Sequence, residues 1–248
     1  MDVDDDATLW FAPPETTEPR RHTLTRQRVV TEALTLIAQD GVPALTMRAL
    51  AARLGVVPGA LYRHVPGKER LQDLVLDGVL AEVDCDVDRA LPWTEQITVL
   101  ARRLRAVLAD HPGVAGLLAT RDPLGPHSLA LAEAFLRTLH AAGLPHDQAG
   151  QAFFLVVGYT LGFEIGNTNT SANQQRVQDP TSRHQLHKFL RSLPEDRFPT
   201  LVALGPQIWL DNRDERFTAG LDVLVDGLGR QSTPSDHEPP GVRANRGV

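Results

Sequence analysis

Residues 46–62 read Thr-Met-Arg-Ala-Leu-Ala-Ala-Arg-Leu-Gly-Val-Val-Pro-Gly-Ala-Leu-Tyr. Thr46 is a favourable N-cap residue, and it predicts a short helix over 47–54. Gly55 predicts the end of that helix, and Pro58 suits the first turn of a following one. Two helices joined by a glycine-containing turn of this length predict a helix-turn-helix, although the pattern also fits a helical hairpin in any bundle.

Helical spacing of apolar residues extends to both sides of this segment. It predicts a first helix over 25–39, a third helix over about 58–64 and a fourth over 68–83. Further helices are predicted over 94–109, 112–119, 126–142, 146–167, 183–191, 199–210 and 213–229, with a polar loop over 168–182. The expected fold class is therefore all-α. The expected organisation is a disordered arm (1–22), a helix-turn-helix domain (23–68), a helical domain (69–230) and a disordered tail (231–248).

Charge is distributed unevenly along the 248 residues. Residues 20–70 hold nine Arg or Lys against three Asp or Glu, whereas the whole chain has a net charge of −6. A basic segment on an acidic chain predicts a localised anion-binding face, unless the pattern is a chance fluctuation. Cys85 is the single cysteine and residues 1–6 lack a signal-peptide pattern, so we expect a cytoplasmic protein. The apolar stretch 148–163 is shorter than a membrane span of ~20 residues, which predicts a buried helix.

Two segments carry a family resemblance. Residues 44–56, Ala-Leu-Thr-Met-Arg-Ala-Leu-Ala-Ala-Arg-Leu-Gly-Val, and residues 59–68, Gly-Ala-Leu-Tyr-Arg-His-Val-Pro-Gly-Lys, resemble the DNA-binding signature of the tetracycline-repressor (TetR) family. This similarity covers about residues 23–83. A weaker similarity to the branch of the tetracycline repressor itself continues to about residue 229, through Trp93, Ala119-Thr-Arg121 and Tyr159-Thr-Leu-Gly162.

The resemblance implies a set of DNA-binding residues. These are Thr46, Arg48, Pro58, Gly59, Ala60, Tyr62, His64 and Lys68. Thr46, Tyr62, His64 and Lys68 match phosphate-binding positions, while Arg48 is placed to read guanine in the major groove. The alternatives are that Tyr62 belongs to the core and that His64 is an ordinary surface histidine. Arg20 and Arg21 resemble a basic arm that enters a minor groove. The alternative, that both arginines are solvated and contact no DNA, fits equally well.

Two predicted helices have the features of a homodimer interface. Gly158, Gly162 and Gly166 fall on one stripe of the first, and Phe217, Leu221, Leu224, Val225 and Leu228 form an apolar face of the second. Glycine costs roughly 1 kcal/mol in a helix interior, so three on one stripe indicate close backbone approach. The family pairs two such helices per subunit in a four-helix interface. The alternative is packing within one subunit.

The resemblance also implies a pocket for a small-molecule effector. The candidate lining residues are Leu117, Thr120, Arg121, Phe135, Phe153, Phe154, Tyr159, Phe163 and Glu164. Apolar walls with one carboxylate, one guanidinium and one phenol suit a small organic ligand. The alternatives are that the aromatic residues are core and that Glu164 pairs only with Arg121.

The similarity to the tetracycline repressor does not extend to its metal site. Leu117 stands at the position of the metal-ligating histidine, and Gly166 at that of the associated carboxylate. Mg²⁺ needs oxygen or imidazole donors, so we expect no magnesium–tetracycline chelate. His184 and His187 have helical spacing but lack a third ligand. The sequence predicts no cofactor and no metal.

Three classes of function follow from these patterns. The first is a ligand-responsive regulator, expected to be a repressor that leaves its operator when an effector binds. Its partners would be palindromic double-stranded DNA, a second copy of the chain and an unknown small molecule, with no membrane. The second is a constitutive DNA-binding protein without an effector. The third, an enzyme, is disfavoured because no catalytic motif such as a phosphate loop or nucleophile elbow is present.

Overall fold

The computed structural model describes residues 24–121, 123–168, 180–210 and 213–232 of the chain. Within these ranges all regular secondary structure is helical, and the predicted all-α fold class is confirmed. The α-helices are α1 (Arg26–Asp40), α2 (Met47–Leu54), α3 (Pro58–Tyr62), α4 (Lys68–Leu80), α5 (Trp93–Asp110), α6 (Val114–Leu118), α7 (Pro126–Ala141), α8 (His146–Thr168), α9 (Pro180–Arg191), α10 (Pro199–Leu210) and α11 (Arg213–Ser232). A 3-10 turn (Val42–Ala44) joins α1 to α2.

Local capping determines where the first two helices begin and end. The Thr25 hydroxyl accepts the N–H of Arg28 at 3.2 Å, and the Thr46 hydroxyl accepts the N–H of Ala49 at 3.1 Å. Gly55 ends α2 in the left-handed conformation, at φ 69° and ψ 30°. A side chain with a Cβ would be strained there, so glycine allows the tight turn into α3. We call α1–α3 and their connections, residues 24–67, the head.

The third helix is shorter than its predicted span of 58–64. It ends at Tyr62 because the N–H groups of His64 and Val65 both bond to the Leu61 carbonyl, which closes a turn. Leu61 and Val65 are fully buried and hold α3 on the head, as their apolar character predicts.

The fourth helix leaves the head and packs along α1. Gly78 lies so close to Val30 of α1 that a methyl group at position 78 would overlap the valine side chain. The helix ends at Leu80, not at Val83 as predicted, because the Val83 N–H bonds to the Leu80 carbonyl three residues earlier. Its 13 residues span about 20 Å.

Helices α5–α11, residues 93–232, form what we call the body. Helix α8 packs against α5, α6 and α7, and α11 packs against α5 and α8. Leu100, Leu104, Phe135 and Leu139 are fully buried between these helices. Helices α9 and α10 pack on each other, with Gly205 in close contact with Leu190.

Several predicted boundaries differ from the structure. The predicted helix 112–119 comprises only Val114–Leu118, and α9 begins at Pro180, three residues before its predicted start. Residues 231 and 232, which we expected in the tail, continue α11. The predicted arm 1–22 with its Arg20-Arg21 pair, residues 169–179 of the predicted loop and the rest of the tail lie outside the described residues.

Candidate functional site

Most residues expected at DNA are exposed in the head and at the start of α4. Arg48 is exposed in the first turn of α2, two residues after the capping Thr46. The N–H groups and hydroxyl at such a helix start suit an anion such as a phosphate. Arg48, Arg63 and Lys68 have no ion-pair partner among the described residues, whereas Arg53 lies 3.4 Å from Glu32. These three exposed cations, without an ion-pair partner in the described part of the chain, leave positive charge accessible to a polyanion.

The start of the second helix of the motif is also accessible. Pro58 and Gly59 are exposed and Ala60 is half-buried. Tyr62 is 50% exposed and His64 is exposed. The alternative reading of Tyr62 as a core residue is therefore wrong. The Tyr62 phenol, at the end of α3, and the His64 imidazole, in the turn after it, face solvent, while Leu61 and Val65 are buried.

An ion pair ties α4 to the body. Arg121, in the turn after α6, donates from Nε to Asp73 Oδ1 at 2.7 Å and from Nη1 to Gln72 Oε1 at 3.5 Å. Arg70 lies on the other side of the same carboxylate, 3.7 Å from Asp73 Oδ2. Asp73 is buried at 8% exposure, so its charge depends on these two guanidinium groups for compensation.

A second aspartate of α4 caps a helix of the body. Asp77 Oδ1 accepts the backbone N–H groups of His127 at 2.9 Å and of Ser128 at 3.0 Å, and the Ser128 hydroxyl at 3.2 Å. Its Oδ2 lies 2.8 Å from His127 Nδ1. Position 125 must be glycine here, because a Cβ would overlap the carboxylate. Asp77 thus provides from another helix the N-cap that the sequence before Pro126 lacks.

Sequence reasoning missed both aspartates. The signal available for Asp77 was the start of α7, where Gly125 precedes Pro126 and no side chain of the segment caps the helix. A helix start without a local cap indicates that a partner from elsewhere satisfies it.

A cluster of charges and aromatic rings joins α5, α8 and α11. Glu164, buried at 2% exposure, accepts from Arg105 Nε at 2.9 Å and from Arg213 Nη2 at 3.1 Å. Arg105 also lies over the rings of Phe163 and Phe217, with its Cζ 5.2 and 4.6 Å from their centroids. Burial lowers the pKa of Arg213, and the adjacent Glu164 carboxylate opposes that shift. The alternative that Glu164 pairs only with Arg121 is therefore wrong.

Tyr159 belongs to the same junction. Its hydroxyl donates to backbone carbonyls of α11, at 3.1 Å to Phe217 and 3.3 Å to Arg216. A methyl group at Gly220 would overlap that hydroxyl, so the glycine allows the phenol to reach the helix. Burial raises the pKa of the Tyr159 phenol. Arg121, Glu164 and Tyr159 are expected to line one pocket. In the structure Arg121 bonds to Asp73 of α4, whereas Glu164 and Tyr159 bond to groups at the junction of α5, α8 and α11.

The other residues predicted to line the pocket also lie in different environments. Leu117 and Phe135 are buried, and the Phe135 ring meets that of Phe153 edge-on at 6.0 Å between centroids. Phe154 meets the Phe153 ring edge-on at 5.3 Å between centroids, but it is 71% exposed and does not line the interior of the protomer as expected. Thr120 is exposed and its hydroxyl donates to the Leu117 carbonyl at 2.9 Å.

The predicted interface residues of α11 need a similar correction. Phe217, Leu221, Val225 and Leu228 are buried in the protomer's own core, where they face α5 and α8, and Leu224 is half-buried. The opposite side of α11 carries Val223, which is 68% exposed. Phe217 and Leu221 have no accessible surface, so they cannot contact a second copy without rearrangement of the core, whereas Leu224 keeps accessible surface.

The glycine stripe of α8, by contrast, lies at the surface. Gly158, Gly162 and Gly166 are exposed, and a methyl group at Gly158 or Gly162 would touch no neighbouring element. Phe154 and Leu155 continue this exposed face. The predicted buried helix over 148–163 is buried on one side only, since 28% of His146–Gly166 is buried. By length and composition this one helix could cross a membrane, but a single such helix is weak evidence for a span.

Comparison with known proteins agrees with this arrangement. Residues 29–73 match the family described as bacterial regulatory proteins, tetR family, and residues 90–232 match the tetracyclin repressor-like C-terminal domain. The chain belongs to the TetR family. The family comprises transcriptional regulators, so the predicted DNA-binding, ligand-responsive regulator is confirmed at that level.

Individual TetR-family relatives cover nearly the whole chain. An HTH-type transcriptional regulator of Saccharopolyspora erythraea is 34% identical over 223 residues, which span 89% of this chain and 90% of the relative. The tetracycline repressor of class A from transposon 1721 of Escherichia coli is 31% identical over 82% of this chain and 89% of its own length. The crystal structure of ActR of Streptomyces coelicolor in complex with actinorhodin matches with a TM-score of 0.76 and 32% identity, over 86% of this chain and 100% of ActR.

Proposed function

We propose that this regulator is a repressor that an aromatic organic effector releases from DNA, without a metal ion. The observation that carries the proposal is the attachment of α4 to the body at Asp73 and Asp77, since α4 begins at the DNA-binding face. A change in the body is thereby passed to the head through one helix. ActR, which resembles this chain over its full length, has been crystallised with actinorhodin, and that supports an effector of this type.

The side chains between α8 and its neighbours α6 and α7 favour an apolar aromatic molecule. We place the effector beside Leu117, Phe135 and Phe153. Because Leu117 and Phe135 are buried, its entry requires these core side chains to move apart. Leu117 offers no metal ligand, and the described residues contain no group of three or more His, Cys, Asp or Glu that could hold an ion. A Mg²⁺ chelate therefore does not fit this region.

The proposed DNA contacts follow the exposed face of the head. Arg48 reads a base in the major groove, with Pro58, Gly59 and Ala60 close to the bases and able to contact thymine methyl groups. Thr46, Tyr62, His64 and Lys68 bind phosphates and fix the position of the head. Their exposure and the unpaired cations of this face support these roles.

The dimer that we propose uses α8 and the outer side of α11. Gly158 and Gly162 allow close approach of two helices, and Phe154, Leu155 and Val223 provide exposed apolar area beside them. Two heads related by a twofold axis would bind a palindromic operator, with half-sites about 34–36 Å apart or somewhat more. We propose no catalytic residue, and we place this activity in the cytoplasm, where the DNA of a bacterium lies.

Operator binding in the presence of defined compounds tests the proposal. Genomic fragments selected with the purified full-length protein would supply the operator, and fluorescence anisotropy would then measure its affinity. We expect actinorhodin to weaken operator binding and tetracycline with Mg²⁺ to leave it unchanged. Phe153→Ala should reduce the actinorhodin effect, while Leu129→Ala, an exposed position of α7, should not. Operator affinity that aromatic compounds leave unchanged would favour the alternative, a constitutive DNA-binding protein.

A further inference from the structure

A cleft of about 600 Å³ lies where the head, α4 and the body meet. Its walls come from the exposed side of α1, the second half of α4 and the first residues of α7. Val30, Leu34, Leu74 and Ala81 give it an apolar floor. The volume lies within the range of small-molecule sites, which is roughly 300–1,000 Å³. This cleft is separate from the region of Leu117, Phe135 and Phe153, because it shares no residue with it.

The carboxylates of the cleft are already compensated by protein groups. Asp77 accepts four hydrogen bonds from the start of α7, and both oxygens of Glu82 lie within 3.1 Å of His111 Nε2. Neither carboxylate therefore needs a cation from outside. A cationic ligand would have to compete with bonds that the protein makes itself.

An unused cationic donor of the cleft favours an anion. Arg26, the first residue of α1, lines the cleft, is exposed and has no ion-pair partner among the described residues. His127 is engaged by Asp77, which lies 2.8 Å from its Nδ1, so we assign it no role in binding an anion. The Arg26 guanidinium thus stands beside an apolar floor. A guanidinium is the side chain best suited to bind a carboxylate through two parallel hydrogen bonds.

We propose that this cleft is a second ligand site, for an amphipathic organic anion with an apolar ring body and one acidic group. The ring would lie against Val30, Leu34 and Leu74, and the acidic group would bind the Arg26 guanidinium. Such a ligand contacts α1 of the head and α7 of the body at once. Its binding is therefore linked to the relative position of head and body, independently of an effector within the body.

Disulfide tethering tests the site directly. Thr31, an exposed residue of the cleft wall, lies five residues or about 7.5 Å along α1 from Arg26. Thr31→Cys in a Cys85→Ser background would be equilibrated with the disulfides of 4-mercaptobenzoic acid and of its methyl ester, under competing 2-mercaptoethanol. The fraction labelled would be read by intact-protein mass spectrometry. The two fragments have the same aromatic ring, so the difference between their labelled fractions measures the contribution of the acidic group.

We expect the acid to label Thr31→Cys about threefold to fivefold more than the ester. The preference should disappear with Arg26→Gln and remain with Arg26→Lys. Ala38→Cys, an exposed position on the same helix outside the cleft, should show no preference. Equal labelling by acid and ester at Thr31→Cys, or a preference that survives Arg26→Gln, would overturn the proposal. These substitutions lie at exposed positions of α1, and circular dichroism would verify that each variant is folded.

Discussion

Arg121 reaches from the turn after α6 to the carboxylate of Asp73 on α4, with 2.7 Å between Nε and Oδ1. The two side chains are 23% and 11% exposed, so solvent screens this pair less than a surface pair. The contact joins the body to the helix that begins at the DNA-binding face. A residue expected in the effector pocket thus holds α4 in place.

A double-mutant cycle should find strong coupling between these two residues. Arg121→Gln and Asp73→Asn are each expected to lower the free energy of unfolding by about 1–3 kcal/mol, because each leaves a largely buried polar group without its partner. The coupling energy should be about 1–2 kcal/mol in urea denaturation. The surface pair Arg53–Glu32, with side chains 29% and 33% exposed, is the matched control and should couple by less than about 0.5 kcal/mol. Equal coupling in the two pairs would show that Arg121–Asp73 is not a special link.

Substitutions on opposite sides of the dimer helices should separate association from folding. Phe154→Glu places a charge on the exposed face of α8 and should raise the dimer dissociation constant by about 100-fold or more, since a buried unpaired charge costs several kcal/mol. Leu129→Glu, also at an exposed apolar position, is the control and should leave the dimer intact. Sedimentation velocity measures both. A Phe154→Glu protein that remains dimeric at micromolar concentration would place the interface elsewhere.

Phe217→Ala should lower the free energy of unfolding and leave dimer association largely unchanged. Phe217 of α11 is fully buried against α8 and α5, with its ring stacked on Tyr159 at 5.4 Å and Arg105 above it. Truncating it should cost about 3–5 kcal/mol of unfolding free energy through the cavity that it leaves. The dimer dissociation constant of the folded fraction should change much less than with Phe154→Glu. If Phe217→Ala weakened dimer association but left the free energy of unfolding unchanged, Phe217 would be a dimer-interface residue, as the sequence predicts.

The sequence was most informative where the determinants are local. Thr25, Thr46 and Gly55 cap or end helices through bonds within a few residues, so the head could be predicted almost to the residue. Helix α8 was harder, because apolar residues occur on all its sides and no stripe shows which face is buried. The same ambiguity applies to α11, where an apolar face fits a core or an interface equally well.

Contacts between distant residues were beyond sequence reasoning. Arg121 and Asp73 are 48 positions apart, and Asp77 and His127 are 50 apart. No local pattern indicates which of 31 acidic residues meets a given arginine. The site could therefore be predicted as a set of residue types, while their actual partners depend on how α4 crosses the body.

Arg48→Ala and Lys68→Ala are expected to weaken DNA binding in different ways. Loss of a base contact by Arg48 should cost about 1–3 kcal/mol on the operator and relax the preference at one base pair. Loss of a phosphate contact by Lys68 should weaken all sequences alike and reduce the slope of log K against log salt by about one. Binding to operator and scrambled DNA over a salt series distinguishes them. If Arg48→Ala left the base preference unchanged, Arg48 would not be a base-reading residue.

Effector binding in the body is expected to change the distance between the two heads of the dimer. Helix α4 is about 20 Å long and rigid, and Asp73 and Asp77 attach it to the turn after α6 and to the start of α7. Motion of either element must therefore tilt α4 or break these bonds. Because coupling between sites is reciprocal, an effector that favours a splayed dimer weakens DNA binding by the factor by which DNA weakens effector binding. That factor is typically 5–150, or about 1–3 kcal/mol.

Spin labels on the heads test this movement. Ala38→Cys with Cys85→Ser gives one exposed label on α1 of each protomer, and double electron–electron resonance reports their separation with and without actinorhodin. We expect a shifted distance in this background and a smaller shift after Asp77→Ala, which removes the cap from α7 while leaving Leu117, Phe135 and Phe153 in place. Actinorhodin affinity, measured by fluorescence quenching, should then change little. A distance that stays constant while DNA affinity falls would refute the movement of α4 and indicate release through altered dynamics of the heads, because rigidification or loosening alone can couple two sites.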